Sequence, residues 1–236
     1  MVSTVPSRKR VHDANAARAA ILNAAEAVFA EQGFAGARVD TIAAQAGYNK
    51  SLLFQYFGDK LQLYAAVLKR ADQEANELRA RVFAPLLENP QLASTARELR
   101  AFFERAFHAL FDYLVDHPRL LRILLWEMAD GWQTYAQIAP QMQGAEAHQI
   151  DLLFEAGQRA GFIRSPFVPA IQLAMALQIC QAYLASLPLF QLLRPAEDLS
   201  AAAALAQART YIVGLLVAGI MVDPLEPGEP QENSAL

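Results

Sequence analysis

The stretch VDTIAAQAGYNKSLLFQYFGDK, Val39 to Lys60, decides how the rest of this chain is read. Ile42, Ala43 and Ala46 recur at helical spacing, Gly47 stands where the chain must turn, and Leu53, Phe54 and Phe57 resume an apolar stripe of period three to four. Two short helices joined by a tight turn follow. Gly47 tolerates the left-handed backbone that ends the first helix. Asn49 precedes the second, where its side-chain oxygen accepts from an otherwise unpaired amide two or three residues on. Asp59 repeats the device and opens a third helix at Lys60.

Helical corners with Ala, Gly and Asn are common in bundles that never touch nucleic acid, so spacing alone does not select a function. The chemistry of the second helix does. Tyr48, Asn49, Lys50, Ser51, Gln55 and Tyr56 place donors on that helix and its lead-in turn, with no carboxylate before Asp59. A helix presented to phosphates and base edges has this composition. The expected DNA-facing set is Arg38, Thr41, Tyr48, Asn49, Lys50, Ser51, Leu52, Gln55, Tyr56 and Lys60. Lys50 and Lys60 are assigned mainly to phosphates, Asn49, Ser51 and Gln55 to bases, and Tyr48 and Tyr56 to either.

With the segment before it, ARAAILNAAEAVFAEQGFAGARVDTIAAQAG, this stretch resembles the DNA-binding domain of TetR-family transcriptional repressors. A first helix with Ile21, Leu22, Ala25, Val28 and Phe29 on one side ends at Gly33. Gly33 and Phe34, then Val39, Ile42, Ala43, Gly47, Lys50, Leu53, Tyr56, Phe57 and Lys60, fall where the family places such types. The resemblance covers residues 14–70. At the family's usual Ser, Gly, Thr and Tyr positions stand Asn49, Ser51, Leu52 and Phe54. Asn49 keeps the cap, whereas Leu52 and Phe54 remove hydroxyls that relatives often use on phosphate or base.

The charge is distributed to match. The chain holds 236 residues, 20 Lys and Arg against 24 Asp and Glu, for a net charge of -4. Residues 1–70 carry nine of the basic and five of the acidic groups, so a net +4 in front stands against -8 behind, and every lysine lies in front. Phosphate neutralisation is the main electrostatic source of DNA affinity, so the local field matters more than the total. Arg8, Lys9 and Arg10 have no apolar run after them and read as a flexible basic arm over residues 1–13, not a secretory signal. The lone Cys180 excludes an intramolecular disulfide, and with it the chain is read as cytoplasmic.

Alanine and leucine abound and β-branched residues are sparse, so the fold class is all-α: an N-terminal three-helix helix-turn-helix domain and a larger C-terminal helical ligand-binding and dimerisation domain over 71–222. A rod helix from Lys60 should run to about Phe83, with a loop marked by Pro85 and Pro90 after it. Further helices are expected over 95–116, 118–130, 132–142, 145–160, 169–193 and 198–222. Residues 223–236, rich in proline and acid, read as a disordered tail.

Ile171 to Leu193 has no charged residue and is long enough to span a bilayer. Gln172, Gln178, Gln181 and Gln191 would be costly in lipid, and Pro188 interrupts the run. A helix apolar nearly all round is otherwise one buried in protein. The resemblance implies that the last two long helices pair with their copies in a second subunit, giving a homodimer. The residues expected there are Ala174, Leu177, Gln181, Leu184, Ala204, Ala208, Tyr211, Leu215 and Ala218. Two recognition helices would then meet a palindromic double-stranded DNA operator, with half-sites about 34 Å apart.

Aromatic residues concentrate in the middle of the chain. Phe103, Phe107 and Phe111 follow a four-residue spacing that packs in any bundle, while His108, Trp126, Trp132, Tyr135, Gln178 and Tyr183 combine apolar bodies with polar tips. The resemblance implies a small-molecule inducer site here, and the lack of an Arg or Lys cluster favours an apolar or aromatic ligand. An enzyme is the rival class. The sequence holds no Gly-x-Ser-x-Gly elbow, no phosphate-cradling glycine loop and no Glu-x-x-His pair, and its four histidines are scattered, so no catalytic residue, metal or cofactor is expected. A membrane-associated or interaction protein without DNA binding is the alternative.

Overall fold

A computed structural model describes residues 8–88, 95–141, 147–164 and 168–222. The helices are α1 (Arg8–Gly36), α2 (Val39–Ala46), α3 (Lys50–Phe57), α4 (Lys60–Glu88), α5 (Ala96–Asp116), α6 (Pro118–Ala129), α7 (Gln133–Ile138), α8 (Ala147–Arg159), α9 (Pro169–Ala185), α10 (Leu187–Leu193) and α11 (Ala202–Ile220). Among the described residues there is no strand. One isolated antiparallel bridge joins Ile163 to Met221. The chain forms two compact units, residues 1–77 with 114–143 and residues 78–113 with 144–236. By this division α6 and α7 lie in the same unit as the helix-turn-helix.

The first unit is built on the apolar periodicity of α1 to α4. Ile21, Ala25, Val28 and Phe29 meet Ile42 and Ala43 of α2, Leu53 and Phe57 of α3, and Leu63, Tyr64 and Leu68 of α4; Ile123 and Ile138 close the core from α6 and α7. Phe29 and Tyr64 pack edge to face, 4.9 Å between centroids. α1 is not continuous. At Gly33 the backbone turns left-handed, φ 66° and ψ 176°, as the glycine there leads one to expect. The Ala30 carbonyl accepts instead from Arg122 Nε and from Trp126 Nε1, each at 3.2 Å.

In the second unit Phe103 is the hub of the aromatic core, with Phe102, Phe107 and Phe154 rings 5.4 to 6.0 Å away. Its terminal segment is pinned where Arg164 N donates to the Ile220 carbonyl and Val222 N to that of Phe162. Arg209 pairs with Asp112 at 2.6 Å, tying α11 to α5.

Several helix limits differ from the sequence reading. α1 begins at Arg8, so the basic residues open a helix rather than precede one. α4 continues past Pro85 to Glu88; a proline that near the end forfeits one bond without stopping the helix. The single helix expected over 169–193 is two, bent by 49° at Ser186. Pro188, which has no N–H to give back to a preceding carbonyl, sits in the first turn of α10. Asp198 opens a turn instead of α11, its Oδ1 accepting from Ser200 N at 3.0 Å. After α7 the chain tightens to a 3-10 turn over Ala139–Gln141. Residues 1–7, 89–94 and 223–236, which include most of the expected arm, Pro90 and the tail, lie outside the described residues.

α11 is long and apolar enough to cross a membrane, and α9 with α10 only as a bent pair. Ile212, Val213, Leu216, Val217 and Ile220 of α11 face the interior of the second unit.

Candidate nucleic-acid interface

The corner between α2 and α3 has the local chemistry that its sequence dictates. Gly47 ends α2 in the left-handed region, φ 75° and ψ 22°. Asn49, in extended backbone, accepts from Leu52 N at 2.8 Å through Oδ1. Asp59 accepts from Gln62 N at 2.8 Å and caps α4 in the same way. Leu53 and Phe57 anchor α3 inward, and Lys50, Ser51, Phe54 and Gln55 are left on its exposed surface.

Each expected DNA-facing side chain can now be placed. Arg38, Thr41, Tyr48, Asn49, Lys50, Ser51 and Gln55 are exposed; Leu52, Tyr56 and Lys60 are half-buried. Asn49 has spent its oxygen on the cap, so only its Nδ2 donors face outward. Lys50 is not a free cation: its ammonium lies 3.0 Å from Asp40 on α2, a carboxylate outside the helix whose charge the sequence reading weighed. Lys60 is tucked in further, with Nζ 4.7 Å from the Phe34 ring centroid and 3.4 Å from the Ala35 carbonyl, and burial lowers its pKa from the usual lysine value. Arg18, which sequence reasoning passed over, lies 5.2 Å from the Phe57 ring. Phe54, read from sequence as part of the apolar stripe and as a lost hydroxyl, does not join Leu53 and Phe57 in the core: it is 38% exposed.

In the same unit a buried polar tie holds α4 and α7 to α6. Glu127 is 3% exposed. The Tyr64 hydroxyl of α4 donates to its Oε1 at 2.5 Å, and Tyr135 N at the start of α7 donates to its Oε2 at 2.9 Å. Burial, then the bond to Glu127, pushes the Tyr64 phenol well above its usual pKa and keeps it a donor. Arg70 of α4 bridges Asn23 and Glu26 of α1. Sequence gave no sign of Glu127, which sits 63 residues from its partner.

The aromatic set expected around one ligand divides between the two units. Trp126, Trp132 and Tyr135 belong to the first. Trp126 lies against Gly33, where an added Cβ would meet its ring at 3.0 Å, and Trp132 packs edge-on to Tyr135. Phe103, Phe107 and Phe111 are buried in the second unit, with Tyr183 6.1 Å from Phe111; His108 is half-buried and Gln178 exposed.

Of the residues expected at a subunit interface, Ala174, Tyr211, Leu215 and Ala218 are exposed, and Leu177, Ala204 and Ala208 half-buried. Gln181 and Leu184 instead turn inward, 1% and 8% exposed. Neither amide atom of Gln181 has a hydrogen-bond partner. Ile171 and Met175 join the exposed stripe of α9, and Leu189, Leu192 and Leu193 extend it along α10. An open apolar groove of about 370 Å³ runs between α9, α10 and α11, lined by Tyr183, Phe190, Ala208 and Tyr211 among others.

Residues 21–67 match the family described as bacterial regulatory proteins of the tetR family, and residues 100–216 the tetracyclin repressor-like C-terminal domain. The chain is 39% identical over 115 residues to the HTH-type transcriptional repressor SCO4008 of Streptomyces coelicolor, covering 49% of this chain and 51% of that protein. It is 29% identical over 178 residues to the HTH-type transcriptional repressor NicS of Pseudomonas putida, covering 74% and 78%. The match thus spans about half the length of the first relative. Among solved structures, transcriptional regulator SCO4942 from Streptomyces coelicolor superposes with a TM-score of 0.55 at 27% identity, over 86% of this chain and 97% of that one.

Proposed function

The chain belongs to the TetR family of helix-turn-helix transcriptional regulators, and from that premise we propose that it is a cytoplasmic homodimeric repressor, released from a palindromic operator by a small, largely apolar ligand. The observation that carries the reading is the outward surface of α3: Ser51, Gln55 and Lys50 stand exposed on a helix fixed at its start by Asn49 and inward by Leu53 and Phe57. Such a helix enters a major groove with its polar side chains toward base edges.

Dimerisation supplies the second reader. The exposed apolar stripe of α9 and α11, with Ala174, Gly214, Ala218 and Gly219 allowing close approach, is the surface for a second copy. The ligand belongs in the second unit, among the rings of Phe103, Phe107, Phe111 and Tyr183. The buried amide of Gln181 in the same unit has no partner, and a ligand or water that reached it would relieve that cost. Release is then a population shift: the ligand favours the arrangement of two readers that does not fit DNA, by no more than its differential affinity. α4, unbroken from Lys60 to Glu88, is the lever.

Retardation of a duplex selected from a randomised library, with sedimentation of the free protein as a dimer, tests this reading. Flotation with vesicles and no retardation at low salt would replace it with a membrane-associated helical protein.

A further inference from the structure

Among the exposed side chains of α3, Lys50, Ser51, Phe54 and Gln55, Phe54 is the one that offers neither a donor nor an acceptor. Leu52 and Tyr56 beside it are half-buried. Leu53 and Phe57 are buried at 0% and 7% exposure, and Ser51 and Gln55 are exposed and polar. Phe54 has the bulk of a core residue and the exposure of a surface one, 38%. Lys50, one turn earlier, holds its ammonium 5.9 Å from the centre of the Phe54 ring, so the two share a face. That ammonium also pairs with Asp40, which fixes its position beside the ring.

A phenyl ring exposed on a groove-entering helix meets base edges. In the major groove the only apolar group on those edges is the C5-methyl of thymine. We propose that Phe54 reads one thymine in each half-site through that methyl group. This rests on α3 being the recognition helix. The preference is for T over C at that position, set by burial of a methyl against the ring and not by a hydrogen bond, and it is worth about fourfold in affinity for each methyl buried.

Deoxyuracil tests this directly, because it differs from thymine only by the methyl group and pairs identically. A duplex is selected with the full-length protein from a randomised library, and each thymine is then replaced singly by deoxyuracil. Affinity should fall about three- to tenfold at one symmetry-related position per half-site. The exposed ring makes Phe54→Ala tolerable to the fold; in that variant the thymine and deoxyuracil duplexes should bind alike, while Phe54→Leu should keep part of the difference. No sensitive position, or an equal penalty in wild type and Phe54→Ala, overturns the proposal while leaving DNA binding intact. Failure of the wild type to select or retard any duplex sinks the regulator reading and this proposal with it.

Discussion

Lys60 and Gln55 are both polar and both flank the reader, yet their surroundings assign them different work. The Lys60 ammonium is held over Phe34 and against the Ala35 carbonyl at the start of α4, whereas Gln55 stands exposed on α3. A point charge at a helix start suits a phosphate and carries no sequence information. Lys60→Ala should therefore weaken binding to every duplex alike and reduce the slope of log affinity against log salt by about 0.9. Gln55→Ala should relax preference at one base position by about 1–3 kcal/mol. An unchanged salt slope removes Lys60 from the contacts, and uniform weakening across a library removes Gln55 from base reading. Cys180 shows the opposite use of burial. With no exposed surface, its thiol is pushed up to about 11 and stays protonated at pH 8. Iodoacetamide at pH 8 should leave the folded protein unmodified and alkylate it readily in urea; equal rates would mean that the helices around Cys180 open freely.

At the scale of elements, the arrangement that matters is α1 and α4 gripped by α6. Two of its parts come from a single break in α1. Because Gly33 takes φ 66°, the Ala30 carbonyl turns to Arg122 and Trp126, and the space beside Gly33 is filled by the Trp126 ring. Gly33→Ala adds a Cβ at a positive-φ, extended-ψ position that only glycine adopts readily, 3.0 Å from that ring, so it should destabilise the fold by about 1–3 kcal/mol and shift tryptophan emission. A variant of wild-type stability would mean that α1 straightens without cost. Tyr64→Phe removes the phenol donor and leaves one oxygen of a buried carboxylate unpaired, a loss of about 1.5–3 kcal/mol by urea denaturation. A near-zero change would show that water replaces the phenol. These ties also mark the limit of what the sequence discloses. The caps at Asn49 and Asp59 and the turns at Gly33 and Gly47 join residues within about four positions, and their side-chain chemistry names them in advance. Glu127 reaches a partner 63 positions away, and nothing in its neighbours distinguishes it from a surface glutamate. The aromatic set divides between the units for a related reason: α5 passes from one unit to the other between Tyr113 and Leu114, and composition does not report where a continuous helix changes its company.

For the molecule as a whole, the unanswered surface is the apolar one. Tyr211 and Leu215 on α11 are 74% and 54% exposed, and Ile171 and Met175 on α9 about half. A stripe this apolar faces either lipid or protein, and the uncharged polar residues within it separate the two. Gln178 lies in the exposed run of α9, and Gln207 precedes Tyr211 by one turn, both poorly suited to lipid and ordinary at a protein interface. Of these two helices Gln181 and Leu184 are buried, whereas Ile171 and Met175 lie on the exposed side that the proposed pairing would use. A single reader contacts one half-site, and joining two multiplies affinity because the second contact becomes intramolecular. Replacing Tyr211 and Leu215 together by lysine puts four like charges into a symmetric interface. The variant should sediment as a monomer with its helical content intact and bind the palindromic duplex ~10²-fold or more weakly, while its residual binding to a single half-site stays at the wild-type level. A variant that remains dimeric places the interface elsewhere, and one that is monomeric with full operator affinity separates DNA binding from dimerisation altogether.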